Sequence, residues 1–123
     1  MIVQIAHLYA STCLAIVFFE VALIAGAPLG AYTQGGKHEG ALPLSGRLVA
    51  ATSVPVVLFN ALAILSAAGF PGLGWPVWTG WLAFVVQAMT AVLNLLTPSR
   101  PERAVWAPVT LVMTAMALVV MTA

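Results

Sequence analysis

Glu20 is the side chain of this sequence best placed to do chemistry, because it sits among Phe18, Phe19, Val21 and Leu23 with no neighbouring polar residue in the chain. A carboxylate inside such an apolar run costs several kcal/mol unless it is paired, protonated or facing water, so it marks a functional site by default. Three accounts stand open. Glu20 can pair with an arginine, Arg47 being closest in topology and Arg103 next. It can titrate during proton-coupled transport, or bind a cationic solute. An exposed or oligomer-contact position is the remaining, non-chemical reading. Counting about seven residues to the end of the run puts Glu20 roughly 10 Å from the membrane boundary, away from the midplane.

The other reactive side chains do not join it. His7 is 13 residues away, about 20 Å along a helix and roughly 140° around it, so the two form no dyad. His7 shares a side with Gln4 and Ser11, and Glu20 with Tyr9 and Cys13. A metal site is not expected, since His7 and Cys13 lie on different faces and His38 and Glu39 are consecutive in a loop. The single cysteine rules out an intrachain disulfide. No nucleophile, base and orienting group fall at credible spacing, and no cofactor motif is present. The expectation is therefore a protein that is not an enzyme.

Polar residues at helical spacing supply the rest of a candidate binding site. Around the third apolar run, Gly80, Ala83, Gln87, Thr90, Asn94 and Thr97 fall on one stripe about 100° wide, with Leu82, Val85, Ala88, Val92 and Leu96 opposite. In the second run Ser53 and Asn60 stand two turns apart, with Ala63 and Ala67 extending that face. In the fourth, Thr110, Thr114, Ala117 and Met121 line up. Small and polar residues are what membrane helices use to approach and hold one another. They also serve to line a polar conduit. Glu20, Asn60, Gln87 and Asn94 are the candidate binding residues.

The elements that must position these groups follow from composition. Of 123 residues, 63% are hydrophobic and 6% charged, against roughly 25% charged in a soluble domain. Seven charged side chains cannot cover a water-facing surface, which excludes a free globular or disordered life. A net charge of +1 without a basic cluster gives no basis for nucleic-acid binding. Lipid is the expected partner. At about 20 residues per span, the length accommodates four helices and not five. They are expected over 2–27, 47–68, 75–97 and 104–123, in one all-α transmembrane bundle forming a single domain, 1–123. Pro98 and Pro101 are read as ending the third helix. Ala25-Gly26-Ala27 mimics a signal-peptidase site, but no basic residue precedes the run and the run is too long, so the first segment is read as a retained helix.

Orientation is expected from the basic residues. Lys37 and Arg47 flank the first loop, Arg100 and Arg103 the third, and the second, Phe70 to Gly74, has none. The positive-inside rule then puts loops one and three in the cytoplasm and both termini outside. Trp75, Trp78 and Trp81 open the third helix at the outer interface, where amphipathic rings settle.

The two charged loops carry the remaining motifs. The first is long for a helix connection, which points to a folded or re-entrant segment. Its Gly35, Gly36, Lys37, His38 and Glu39 could form a backbone nest for an anion or, more plainly, a structural turn. It is not a Walker loop, lacking that spacing and a Lys-Ser/Thr ending. In the third loop Ser99 is expected to cap the fourth helix, with Glu102 at the capping-box position. Arg100 and Arg103 lie where anionic headgroups would attract them.

Gly26-Ala27-Pro28-x-Gly30, Gly35-Gly36, Gly40, Leu42-Pro43 and Arg47, followed by Asn94 and Ser99-Arg100-x-Glu102-Arg103 with Trp106 and Pro108, resemble an uncharacterised family of small four-helix bacterial integral membrane proteins. Leu29 stands where that family often has Trp. The resemblance covers most of the chain and implies a four-helix fold, a bacterial inner membrane and a hotspot at the cytoplasmic face, but no substrate. Small multidrug exporters share a first-helix glutamate but not the accompanying aromatic pattern. Fluoride channels need phenylalanine and threonine-serine signatures absent here. The functional expectation is a binding or permeation protein for a small cation, proton or polar solute, as a homo-oligomer or a subunit of a membrane complex. The alternative is an accessory subunit or scaffold whose cytoplasmic loops dock a partner.

Overall fold

The protein is described by a computed structural model covering residues 1–123. Four helices, α1 (Ile2–Ile24), α2 (Leu44–Ala67), α3 (Val77–Leu96) and α4 (Arg100–Thr122), run up and down and account for all the regular structure apart from two 3-10 turns, Gly30–Tyr32 and Gln34–Gly36. Each helix is long and apolar enough to cross a membrane. The helices close a ring in chain order: α1 packs along α2 and α3 along α4, with α2–α3 and α4–α1 completing it. α1 and α3 are thus diagonal. Loops one and three lie at one end, and loop two with both termini at the other.

The helix ends differ from expectation by about a turn, for local reasons. α1 stops at Ile24 rather than 27 because Gly26 turns left-handed at φ +97°. α2 starts at Leu44, directly after Pro43, rather than at Arg47. Trp75 lies outside α3, with its backbone N–H donating to Ser66 Oγ at 2.7 Å. α4 begins at Arg100 rather than Ala104. Pro101 falls in its first turn, where the missing N–H would have had no partner. Ser99 caps this helix as expected, its Oγ accepting from the Glu102 backbone N–H at 3.2 Å.

Packing divides the bundle into two halves along its length. Toward the termini, Ala6, Ala63, Ala83 and Ala117, one from each helix, are fully buried in a single apolar cluster with Ile64, Met113 and Val120. Small side chains let four backbones approach closely, which is how membrane helices gain contact when lipid offers no hydrophobic force. Gly80 of α3 extends this half, lying against Ala67 and the Met121 thioether. The lipid-facing side is apolar too: Leu82, Val85, Val92 and Leu96 of α3 are all exposed. The other half of the bundle is hollow.

Candidate functional site

Between the four helices at the end of loops one and three lies a cavity of about 280 Å³. Glu20, Asn60, Gln87 and Asn94, placed on three different helices, all line it, and Glu102 joins them from α4. No lysine, arginine or histidine does. The helical stripes described above therefore converge on a common interior, with the polar face of α3 turned inward.

The inner end of the cavity is built from amides. Tyr9 Oη donates to Gln87 Oε1 at 2.7 Å across the bundle, so the Gln87 carbonyl is spent and its amide nitrogen is left as a donor. Asn60 is 5% exposed, and its Oδ1 is the one buried side-chain nitrogen or oxygen in the protein without a hydrogen-bond partner. A buried acceptor left without a partner costs about 1–3 kcal/mol, and this oxygen is turned away from the open space of the cavity. Midway up, Asn94 Nδ2 donates to Thr110 Oγ1 at 3.3 Å, while the Thr110 hydroxyl itself donates to the Trp106 carbonyl at 2.6 Å.

The outer end is acidic. Glu20 lies four residues before the end of α1, about 6 Å along the axis and shallower than the sequence count suggested, because α1 ends earlier. It has no ion pair. The two arginines named as its candidate ion-pair partners, one of the three accounts, are engaged elsewhere: Arg47 Nε donates to Leu42 O at 2.9 Å with its guanidinium against Gly26, and an Arg103 guanidinium N–H donates to Thr97 O at 2.8 Å. Both arginines hold loop backbone in place.

Glu102 was not among the expected binding residues. Its place three residues after Ser99 points to helix capping, and a fourth helix starting at Ala104 leaves it outside by about a turn. In the structure the capping box is only half made. Ser99 N–H donates to Thr97 Oγ1 at 3.3 Å instead of to the Glu102 carboxylate, which leaves that carboxylate free to face the cavity while Glu102 is 8% exposed. Continuing the Thr110 stripe backward by four and eight residues would have found Trp106 and Glu102. Phe19 and Trp106, each beside one of the two acids, meet edge to face at 4.9 Å.

Loop one is folded over this acidic end and contributes Tyr32 and Thr33 to the lining. It is tied to α4 by Ser99 Oγ, which donates to Ala31 O, and by Trp106 Nε1, which donates to Tyr32 O at 3.0 Å. It is tied to α2 by Gln34 Nε2, which donates to Gly46 O at 2.8 Å. Two motif glycines make the fold possible. A Cβ on Gly30 would lie 1.7 Å from the His38 carbonyl, and one on Gly36, at φ +70°, would lie 2.8 Å from Ser99 Cβ. The glycine-rich stretch is thus a packed cap. Gly35 and Gly36 take their left-handed conformations within it. Lys37, His38 and Glu39 are exposed and do not line the cavity, and Arg100 is also exposed. No three histidine, cysteine or acidic side chains gather in a metal-binding group.

Two boundaries complete the site. Thr52 and Val56 of α2 and Thr90 of α3 line the cavity yet are exposed, so it opens sideways between these helices below the loop cap. Toward the termini it ends at Asn60, Gln87 and Met113, beneath which the alanine layer is closed. The chamber is one-ended. Comparison with protein-family models, with curated proteins and with solved structures found no match for this chain.

Proposed function

We propose that this multi-pass membrane protein binds a small cation, or a polar solute able to donate protons or hydrogen bonds, in the chamber between its helices. One observation carries the reading. Two carboxyl groups, from Glu20 and Glu102, line a cavity that contains no basic side chain. With acidic side chains and no basic one in its lining, the chamber favours a cation and disfavours an anion. The amides and hydroxyls deeper in offer a hydrated or hydrogen-bonding solute its replacement partners. The role is binding rather than catalysis, and passage across the membrane would require the alanine layer to open.

The four-to-zero distribution of basic residues supports an orientation with the chamber end in the cytoplasm and both termini outside. The loop motifs support placement in a bacterial inner membrane. A second reading, an accessory subunit that docks a partner, is favoured by the exposed Lys37-His38-Glu39 tip on an otherwise anchored loop.

Glu20→Gln tests the choice. Cation- or proton-dependent stabilisation of the purified protein, and any flux in proteoliposomes, is expected to fall at least tenfold in the variant while assembly is normal. Unchanged cation dependence and flux with normal assembly would remove the binding reading and leave the docking one.

A further inference from the structure

The outward face of α1 is unlike that of the other helices. Elsewhere the exposed hydroxyls of Thr52, Thr90 and Thr122, one each on α2, α3 and α4, donate to a carbonyl of their own helix, which satisfies them against lipid. On α1 the positions opposite buried Ala6, Tyr9 and Cys13 are Gln4, His7, Ser11, Leu14, Phe18 and Val21, and all six are exposed. The first three have no side-chain hydrogen bond, although neighbouring Thr12 donates to Leu8 O at 2.9 Å, and the His7 ring meets Phe70 edge to face at 5.6 Å. Counting 1.5 Å per residue from Ile2, His7 lies about 8 Å and Ser11 about 14 Å into the helix. Histidines and other polar side chains of membrane helices face the bundle interior or bond across a helix contact. Set on the outside without partners, these three mark a surface that another helix covers.

We propose that a second copy of this chain covers this face, making a twofold dimer through α1. The six positions alternate steps of three and four residues, the repeat of a parallel helix pair in which each residue meets its own counterpart. That register selects a copy over a different partner. Amide, neutral imidazole and hydroxyl each carry both a donor and an acceptor, so Gln4, His7 and Ser11 can each bond to their own image across a twofold axis. A charged residue would repel its image, and the face carries none. The basic residues of the bundle lie at one end, which favours a single insertion direction, so a twofold axis along the membrane normal brings two α1 helices together in parallel. Leu14, Phe18 and Val21 continue the seam with apolar contact. Glu20 lies on the other side of α1 and lines the chamber, so each copy keeps its own site. The dimer stands independently of what that chamber binds.

The test uses the full-length protein reconstituted in lipid vesicles. Ser11→Cys should form a disulfide-linked dimer on mild oxidation, whereas Val85→Cys, at a similar depth on the outward face of α3, should link at least about tenfold less; the unmodified protein, whose only cysteine is the buried Cys13, sets the background. Energy transfer between labelled copies, followed as lipid is added, measures the association without a new cysteine in the seam. Replacing His7 and Ser11 together by Leu should separate the copies at about tenfold less added lipid, because the bonds across the seam are gone while its apolar contact remains. Equal linking at Ser11 and Val85, the signature of chance collision, would overturn the proposal. A protein that stays monomeric at every dilution would overturn it too, leaving the face to a different membrane protein or to lipid headgroups. Association unchanged in the double Leu variant would show that some other face joins the copies, and would equally sink it.

Discussion

Tyr9 and Gln87 face each other across the diagonal of the bundle, joined by a 2.7 Å hydrogen bond between helices that otherwise barely touch. The bond fixes the Gln87 carboxamide and so determines which of its atoms the chamber meets. It also defines where the hollow half begins.

Tyr9→Phe should therefore cost more than its size suggests. It leaves the Gln87 carbonyl buried without a donor, a loss of about 1–2 kcal/mol, at the upper end of hydrogen bonds within membrane bundles. Adding Gln87→Leu should restore part of that stability, because both polar partners are then gone. Unfolding in mixed micelles would measure each, and an additive double variant would refute the coupling.

Glu20→Gln should fold at least as well as the unmodified protein, since no ion pair is lost with the charge. What should disappear is ligand-linked stability. A cation at a hundred times its dissociation constant adds about 2.7 kcal/mol to the native state, and in the variant that increment should be near zero. A thermal-shift titration reads both quantities, and a large loss of stability before any cation is added would point to a partner for Glu20 that the structure does not contain.

Gly30→Ala and Gly40→Ala make a matched pair. The first places a methyl group against the His38 carbonyl at 1.7 Å, whereas the second meets nothing within 4 Å. Gly30→Ala should destabilise the cap by at least about 2 kcal/mol and speed tryptic cleavage at the half-buried Arg47, and Gly40→Ala should leave cleavage unchanged. Equal cleavage of the two would mean the cap is not held as described.

Cys13 lines the chamber at 1% exposure and reports on its cover. Trp106→Phe keeps a ring against Phe19 but deletes the N–H that donates to Tyr32 O. Losing about 1 kcal/mol from the closed form should speed modification of Cys13 by a small charged thiol reagent about fivefold. An unchanged rate would show that the reagent enters from the side, between α2 and α3.

Much of this was legible in the sequence. Composition and run length give four helices, and the 3.6-residue period puts Gln87 and Asn94 on the inner face of α3 and Asn60 on that of α2, where the structure has them. The pairing of Glu20 was not legible. Arg47 and Arg103 were near enough in topology, but loop carbonyls at Leu42 and Thr97 claim both, and such bonds depend on a loop path that no periodicity encodes. Glu102 was hidden by a boundary: Pro101 reads as a stop until the helix is known to start before it, and only then does the acid fall on the Thr110 face. Trp75 misled in the same way, its place in the row of tryptophans suggesting a helix that begins two residues later.

The fully buried alanines, one per helix, have an electrical consequence. A membrane potential falls across whatever excludes water and ions, and in this bundle that is the tightly packed half between the alanine layer and the termini. Glu20, one turn from the opposite end, then stands at nearly the potential of the solution bathing loops one and three. Moving a unit charge through the whole field is worth about 2.3 kcal/mol per 100 mV, but a cation reaching Glu20 from that solution crosses little of it. Occupancy of the chamber should follow concentration on that side and ignore voltage.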